Sequence, residues 1–286
     1  MTILELSDVC YTYDKGTPEA NEALSHIDLK IEQGSMTGLI GHTGCGKSTL
    51  LRMLNGLLRP DSGKILLGGK DIWENPKEIS KVRFRVGLVM QYPEYQLFDE
   101  TVRADIAYGP KNMKLDEAEI ARRVEAAASF AGVTPELLDK SPFELSGGQK
   151  RRAAIAGVMA MQPEILVLDE PAAGLDPKGR EDIFAGLERY RRESGATVIV
   201  VSHSMEDMAR YCEHLIVMND GVIYMEGTQS QVFGEPEMLM QIGLGVPEIT
   251  RLVAKLREGG MPLPPDIYTV EAAKAALLPL LGGERA

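Results

Sequence analysis

The segment from Gly41 to Ser48 constrains the fold of this chain more than any other. It reads GHTGCGKS and matches the pattern G-x-x-x-x-G-K-S/T, which binds phosphate when it joins a strand to a helix. An apolar run at 36–40 precedes it, and a helical pattern at 49–58 follows it. Glycines let backbone N–H groups surround an anion, and the helix N-terminus adds positive potential. The sequence therefore predicts an α/β fold built around a phosphate site.

Two side chains of this loop carry specific expectations. Lys47 is expected to reach the β- and γ-phosphates of a nucleotide, and the hydroxyl of Ser48 to bind Mg²⁺. A chance match to the pattern in a chain of this length has a probability on the order of one in a hundred, judged from average residue frequencies. The residues expected to contact the nucleotide are Gly41, His42, Thr43, Gly44, Cys45, Gly46, Lys47, Ser48 and Thr49.

Composition excludes several other classes of protein. The 286 residues include 31 Lys and Arg against 42 Asp and Glu, so the formal charge is 31 − 42 = −11, which argues against nucleic-acid binding. No uncharged apolar run approaches the roughly 20 residues that span a bilayer, and the N-terminus MTILE lacks the features of a signal peptide. Three cysteines without C-x-x-C spacing predict neither a disulfide framework nor a zinc site. We expect a soluble cytosolic protein.

The order of apolar runs and helical patterns predicts a mostly parallel sheet. Four short apolar runs end in polar residues, as buried strands do, and helical patterns separate them. These runs lie at 36–40, 86–90, 165–168 and 197–201. Residues 1–31 alternate β-prone and turn-rich stretches and predict an antiparallel edge. Residues 115–161 are rich in Ala, Glu and Arg and predict a helical insertion.

The chain is expected to divide into a main domain and a smaller extension. A hairpin pattern at 215–225 is followed by a boundary near 227–233. We therefore predict a main domain over 1–232, with a helical subdomain at about 92–162, and a helical extension over 233–286. Pro247 is expected to open one helix of the extension, and Thr269 to cap another that runs to Leu281. The apolar stripe of the first helix is typical of core packing, and a partner surface is the alternative.

The strand at 165–168 ends in two adjacent carboxylates, Asp169 and Glu170. Ligands of open α/β sheets lie at such strand ends. Neighbouring strand side chains point to opposite faces, so we expect the two residues to have different roles. Asp169 is expected to bind Mg²⁺ through water, and Glu170 to act as the base for the attacking water. Without the phosphate loop, a solvated acidic turn would be an equally good interpretation.

The segment Ser146-Gly147-Gly148-Gln149, called here the signature segment, begins a helix. S-x-x-Q is a capping box, in which Ser146 caps the helix and Gln149 reaches back. Two glycines in the first turn cost about 1 kcal/mol each relative to alanine, so stability alone does not explain them. Bare N–H groups suit a phosphate that approaches closely. We interpret the following residues, Lys150 to Arg152, as mainly a solvated face.

Two more strand ends present polar groups suited to a nucleotide. Gln91 follows the second apolar run and His203 follows the fourth. Gln91 is expected to orient water and Mg²⁺, and His203 to donate a hydrogen bond to the γ-phosphate in the transition state. Either residue alone would more often be structural, but their shared position in the sheet favours the functional interpretation.

Together, the phosphate loop, the LSGGQ and ILVLDE stretches, the Gly174-Leu175-Asp176 turn and His203 resemble the ATP-binding cassette (ABC) ATPases over about residues 3–233. The resemblance implies a P-loop NTPase fold with a mostly parallel sheet, an N-terminal antiparallel subdomain, a helical subdomain and a C-terminal extension. It also implies a head-to-tail dimer in which each ATP lies between the loop of one protomer and the signature segment of the other. Tyr13 would stack on adenine, with Tyr11 as a substitute, and Asp176 would signal across the dimer.

A narrower resemblance comes from the stretch QYPEYQLF at 91–98 and from the later residues DIAYGP at 105–110. Both are similar to the ATPases of energy-coupling factor (ECF) transporters and of related cobalt and nickel importers. This resemblance implies a peripheral protein at the cytoplasmic face of the cell membrane, a transmembrane coupling component and a membrane-embedded substrate-binding component. The Gly16-Thr17-Pro18 insertion and the stretch NEAL at 21–24 resemble the second of the two paralogous ATPases of vitamin-importing ECF complexes. This favours a paralogous partner over a homodimer, and the extension would help hold the two together. The Ala172 position, where the family usually has Thr, is a departure.

The resemblance also suggests how hydrolysis is coupled to a membrane partner. The aromatic segment, Tyr92 to Phe98, lies beside Gln91 and would dock a cytoplasmic helix of that partner, with Glu94, Asp99 and Glu100 meeting its basic residues. A solvated surface is the alternative.

Two other functions stay open at this point: a dedicated cobalt or nickel importer ATPase, and a soluble ABC ATPase without a transport role. A kinase or GTPase is disfavoured by LSGGQ and by the missing N-K-x-D motif. The sequence does not specify the transported compound.

Overall fold

The computed structural model describes residues 1–281, so residues 282–286 of the predicted extension lie outside the described part. Its strands are β1 (Thr2–Tyr13), β2 (Asn21–Glu32), β3 (Met36–Gly41), β4 (Ser62–Leu67), β5 (Lys70–Asp71), β6 (Val86–Val89), β7 (Ile165–Asp169), β8 (Thr197–Val201), β9 (His214–Asn219) and β10 (Val222–Thr228). Its α-helices are α1 (Lys47–Leu54), α2 (Ile79–Arg85), α3 (Val102–Asn112), α4 (Glu117–Ala131), α5 (Pro135–Leu138), α6 (Gly147–Met159), α7 (Pro177–Ser194), α8 (Met205–Tyr211), α9 (Gln229–Phe233), α10 (Pro236–Gln241), α11 (Glu248–Glu258) and α12 (Val270–Leu280).

The central sheet has six strands in the order β10-β9-β3-β8-β7-β6. Five of them are parallel, and β10 pairs antiparallel with β9 as the hairpin pattern predicts. Every residue of β3, β7 and β8 is buried, because both faces of the sheet are covered. The four predicted buried strands and the parallel sheet are therefore confirmed.

The second sheet is antiparallel, in the order β2-β1-β4-β5. It confirms the antiparallel edge predicted for residues 1–31, although β1 and β2 are single 12-residue strands with register shifts between them. Strands β4 and β5 are not among the predicted strands, because only the short apolar run at 65–67 marks them. Side chains such as Leu4, Ile27 and Leu50 form a core between this sheet and the central one.

The helical insertion packs on the opposite face of the central sheet. Helices α4 to α6 lie in the stretch 115–161 that was predicted to be helical. Helix α3 precedes them, within the predicted subdomain at about 92–162, and the Thr101 hydroxyl caps it by accepting the Ala104 N–H at 3.2 Å. Apolar residues of α4, α6 and α7, including Val124, Ala153 and Phe184, form one core with the sheet. The insertion is thereby attached to the strand ends by α6.

The extension consists of α10 to α12 and has a small core around Val253, Leu263 and Ile267. Pro247 precedes α11 and Thr269 caps α12, as the sequence predicts. Val253 is buried, which fits core packing, whereas Leu252 is 48% exposed. The extension is anchored to the main domain, since Leu239 and Leu244 lie in its core and Tyr268 packs against Phe233 at 5.8 Å between ring centroids. The division at residue 232 stays a prediction.

Among residues 1–281, no helix combines the length and the apolar character that crossing a membrane requires.

Candidate active site at the carboxyl ends of the strands

A cavity of about 450 Å³ lies at the carboxyl ends of the parallel strands. Five separate parts of the chain supply the predicted residues that line it: β1, the phosphate loop with the start of α1, and the ends of β6, β7 and β8. These residues are Tyr13, Thr43, Gly44, Gly46, Lys47, Ser48, Thr49, Gln91, Asp169, Glu170 and His203. The strand-end argument from the sequence is therefore supported by the geometry.

Three residues of the phosphate loop lie behind the cavity wall rather than on it. The carbonyls of Gly41 and His42 accept hydrogen bonds from Lys47 Nζ at 2.7 and 2.8 Å. The His42 ring faces the hairpin, where its Nε2 lies 3.1 Å from Asn219 Oδ1. Cys45 is buried. These residues shape the loop and hold the lysine amine at the cavity, and their predicted nucleotide contacts stay a prediction.

Glycine is required at Gly46, the residue that begins α1. Its φ is 102°, a left-handed conformation, and a β-carbon there would lie 2.6 Å from the carbonyl oxygen of Ala23. Because Gly46 has no side chain, α1 begins without a side-chain cap, and its first turn carries no acidic residue. The N–H groups and the positive end of the helix are thus left for an anion in the cavity.

The end of β7 places oxygen ligands next to the phosphate loop. The Ser48 hydroxyl donates a hydrogen bond to Asp169 Oδ2 at 3.1 Å, and Gln91 lines the same cavity. A hydroxyl, a carboxylate and a carboxamide oxygen are donors that suit Mg²⁺, which takes few protein ligands and keeps several waters. The residues present therefore fit this ion.

Glu170 lies one residue beyond the end of β7 and has a left-handed φ of 53°. Its N–H donates to the carbonyl of Val201 at 3.0 Å, which extends the pairing of β7 with β8 by one residue. The alternation expected along a strand does not extend to this residue, so Asp169 and Glu170 line the same cavity. The expected alternation therefore does not separate the two residues into different sites, and their different roles stay a prediction.

The environment of Glu170 makes its carboxyl group a base near neutral pH. Its Oε1 is buried and accepts no hydrogen bond from the described residues. Burial, and then the neighbouring Asp169 carboxylate, raise the pKa of Glu170 to about 7. His203 Nε2 lies 3.5 Å from Oε1, but burial and the charge of Lys47 lower the pKa of His203. A neutral imidazole therefore faces the carboxyl group, rather than an ion pair.

The signature segment lies outside the cavity. The capping box is formed: Ser146 Oγ accepts the Gln149 N–H at 3.4 Å, and Gln149 Oε1 accepts the Ser146 N–H at 2.9 Å. A β-carbon on Gly147 would meet no atom within 4 Å, whereas one on Gly148 would lie 3.2 Å from Leu175 Cδ2. The end of α6 is thus open at Gly147 and lies away from the cavity of its own chain.

The remaining predicted contacts lie at the rim of the cavity or away from it. Tyr13 lines the cavity, and its hydroxyl oxygen lies 3.2 Å from Thr49 Oγ1. Tyr11 does not line it; its ring packs edge-on against that of Tyr13 at 4.8 Å. Asp176 is also outside, where its Oδ1 accepts the Gly179 N–H at 2.7 Å and caps α7.

The sequence did not predict one side of the cavity. Its wall also contains Asn21, Glu22 and Ala23 from the start of β2, and Asp220 and Gly221 from the hairpin turn. The Gly221 N–H donates to the Cys45 carbonyl at 3.1 Å, which ties this turn to the phosphate loop. The turn is readable from the sequence as a hairpin, but its packing partner 176 residues away is not.

The solvated face expected for Lys150 to Arg152 was wrong for Arg151. Lys150 and Arg152 are partly exposed, but Arg151 is buried and pairs with Glu94 through two hydrogen bonds of 2.9 and 3.1 Å. Glu94 is consequently occupied within its own chain, so it is not free to meet the basic residues of a membrane partner.

Comparison with known proteins agrees with this geometry. A family model described as ABC transporter matches residues 24–173. The EcfA2 ATP-binding protein of an energy-coupling factor transporter from Caldanaerobacter subterraneus is 51% identical over 282 residues, which are 99% of each chain. That from Symbiobacterium thermophilum is 49% identical over 277 residues, 97% of this chain and 96% of the other.

Solved structures show the same fold. CbiO1 from Clostridium perfringens, described as part of the ABC transporter complex cbiONQ, is 40% identical with a TM-score of 0.75, over 88% of this chain and 99% of its own. The ATP-binding cassette MJ0796, a dimer with ADP and Pi, is 30% identical with a TM-score of 0.71, over 79% and 98%. This chain belongs to the ABC transporter family and is an ATPase. Within the family it is one of the ATP-binding proteins of ECF transporters.

The raised pKa of Glu170 predicts the pH dependence of hydrolysis. The carboxylate must be unprotonated to accept a proton from water, so kcat/KM should fall as the pH drops through about 7 rather than near 4.5. A pH profile of ATP hydrolysis at saturating magnesium measures this. In His203→Gln the overall rate should be lower, but the fall in kcat/KM on the acidic side of the profile should remain. If that fall disappears in His203→Gln, the titrating group is His203 and not Glu170.

The open space at Gly147 predicts that Gly147→Ala is harmless to the fold and damaging to hydrolysis. A β-carbon meets nothing in the chain, so thermal unfolding should be unchanged or slightly raised. The same β-carbon would occupy the approach of a phosphate, and hydrolysis should fall on the order of 100-fold.

Gly157→Ala on the same helix is the matched control, because its β-carbon would make only ordinary contacts of 3.8 Å or more. It should leave hydrolysis unchanged. Normal hydrolysis by Gly147→Ala would contradict a role of this helix end in phosphate binding.

Proposed function

We propose that this protein binds ATP with Mg²⁺ and hydrolyses it to drive uptake of a vitamin or another micronutrient through separate membrane subunits. The observation that carries the proposal is the assembly of Lys47, Glu170 and His203 around one cavity while the signature segment lies outside it. The near full-length similarity to EcfA2 proteins supports the transport role.

The residues of the cavity have different roles in the proposed reaction. Lys47 and the N–H groups at the start of α1 bind the phosphates, and Tyr13 stacks on the base. Ser48, Asp169 and Gln91 would hold Mg²⁺, which supplies charge neutralisation between the phosphates when bound. Glu170 accepts a proton from the attacking water, and His203 donates a hydrogen bond to the γ-phosphate.

The site is proposed to be completed by a second ABC ATPase arranged head to tail. The signature segment of one cassette would contact the nucleotide held by the phosphate loop of the other, with Asp176 between the two sites. The insertion at 16–18 favours a paralogue as the partner, and a homodimer is the alternative. The extension would contribute to this assembly, since α11 and α12 expose Leu252, Val270 and Leu278.

Glu170→Gln tests the base and the dimer together. The amide cannot accept the proton, so hydrolysis should fall about 10²- to 10⁴-fold while ATP stays bound. Trapped ATP should then hold two cassettes together, and size-exclusion chromatography with light scattering measures this for the chain alone and mixed with its paralogue. Lys47→Ala is the contrasting variant, in which ATP binding itself should weaken. Glu170→Gln protein that turns over normally, or that stays monomeric with ATP in both mixtures, contradicts the assignment.

The aromatic segment is proposed to dock the membrane coupling component at the cytoplasmic face of the membrane. Tyr95 is 84% exposed and Phe98 is 61% exposed, and Phe98 packs edge-on against Tyr108 at 5.0 Å. The buried Asp105 carboxylate accepts the N–H groups of Phe98 and Asp99 at 3.1 and 3.2 Å, so this exposed surface is held in one conformation. A fixed apolar surface beside Gln91 suits an amphipathic helix.

Joint substitution of Tyr95 and Phe98 by Ser should uncouple transport. The side chains contribute nothing to the cavity, so basal ATP hydrolysis should be kept while uptake by the reconstituted complex is lost. Leu57→Ser is the control, because that side chain is comparably apolar and 45% exposed but lies elsewhere. Unchanged uptake in the double variant would remove the docking proposal.

A dedicated cobalt or nickel importer is the second candidate, which the resemblance of QYPEYQLF at 91–98 and DIAYGP at 105–110 leaves open. Purification of the intact membrane complex, followed by identification of its substrate-binding subunit and bound compound, separates the two. Co-sedimentation with ribosomes instead of membrane proteins would favour a soluble ABC ATPase.

A further inference from the structure

The guanidinium of Arg151 joins three parts of the chain that are far apart in sequence. Its side chain is 5% exposed, and that of its partner Glu94 is 16% exposed. Nε and NH2 donate to the two carboxylate oxygens of Glu94 at 3.1 and 2.9 Å, and NH1 donates to the carbonyl of Ala173. We call this arrangement of Arg151, Glu94 and the Ala173 carbonyl the Arg151 junction. Planar, bidentate pairing of this kind fixes geometry as well as charge.

At one end, the Arg151 junction contacts the segment that follows Gln91. Glu94 lies three residues after Gln91, and the intervening Pro93 is buried while Tyr92 has a left-handed φ of 57°. Such a turn has little freedom to absorb a displacement. Gln91 is thus connected to Arg151 on the signature helix α6 through two residues of fixed backbone and the carboxylate of Glu94.

At the other end, the Arg151 junction contacts the loop that follows Glu170. The Ala173 N–H donates to the Glu170 carbonyl at 3.3 Å, so the residue held by Arg151 is itself bonded to the residue that carries the base. Leu175 of the same loop lies against Gly148, where a β-carbon would come within 3.2 Å of it. Asp176 ends the loop by capping α7. The signature helix thus contacts the base-bearing loop at two points.

The neighbouring Arg152 shows what an ordinary pair on this helix looks like. Its single hydrogen bond, of 3.1 Å, goes to Asp182, whose side chain is 45% exposed. Exposed ion pairs contribute little to stability. Arg151 differs because its charge is buried and each of its three guanidinium nitrogens has a partner. A lysine could keep the charge but not reach Glu94 and the Ala173 carbonyl together.

We propose that Arg151 is a positioning residue that makes the Gln91 segment, the Glu170 loop and the signature helix move as one unit. Arg151 does not line the cavity. It acts on hydrolysis by setting Glu170 and Gln91 relative to the end of α6, and on transport, where the inference rests on the proposed function, by linking the aromatic segment to both.

Arg151→Lys in the full chain, assembled with its partner ATPase, tests the junction. The cavity is untouched, so the KM for ATP should stay within about twofold, whereas kcat should fall roughly three- to thirtyfold, the range of coupling through packed networks. Glu94→Gln, which keeps size and loses charge, should give a similar fall. The double variant should be no slower than the slower single one, because both break the same link. Arg152→Lys is the matched control and should hydrolyse ATP normally.

Several outcomes overturn the proposal. These are wild-type kcat in Arg151→Lys, additive losses in the double variant, a raised KM with unchanged kcat, or a fall in kcat that only follows a loss of folded protein in thermal melts. If Arg151→Lys does not fold, Glu94→Gln decides alone, and wild-type kcat there is a refutation. A wild-type pair that hydrolyses ATP but drives no uptake with its membrane subunits refutes the transport function, and the junction is then judged by kcat.

Discussion

The parallel pairing of β3, β7 and β8 is the constraint on which the rest of the structure depends. It brings the carboxyl ends of three chain segments, which end at Gly41, Asp169 and Val201, to one edge of the sheet. Lys47 enters from the first, Asp169 and Glu170 from the second, and His203 from the third. Because these strands are buried on both faces, their ends cannot shift independently, and the polar groups of the site have fixed separations.

This arrangement also sets the electrostatics of the site. The carboxyl groups of Asp169 and Glu170 and the ammonium group of Lys47 are all buried at this cavity, so Glu170 is surrounded by charges of both signs. Asp169 is next to the Ser48 hydroxyl, whereas Glu170 Oε1 has no partner among the described residues, and its pKa is accordingly raised. Adjacent residues with the same functional group thus acquire different chemistry from their surroundings, which is how a binding group and a base can stand side by side.

Local pattern allowed the prediction of the features that are local in the structure. The phosphate loop, the capping box at Ser146 and the buried strands depend on neighbouring residues, and all were readable. The failures were of another kind. The direction of Glu170 depends on its left-handed backbone, and the burial of Arg151 depends on Glu94, which lies 57 residues earlier. The contact of the 219–221 turn with the phosphate loop joins segments that are still farther apart, since Gly221 lies 176 residues after Cys45. Periodicity carries no information about such pairings.

The open end of α6 has a genetic consequence under the proposed dimer. A chain altered only at Gly147 would still fold and still load ATP in its own loop, but it would fail to complete the site of whichever cassette it joins. The defect would then lie in the site of the neighbouring cassette. In a cell that makes both forms, altered chains would pair with intact cassettes and form inactive assemblies. Loss at this single glycine would therefore behave as dominant, whereas loss of the whole chain would be recessive.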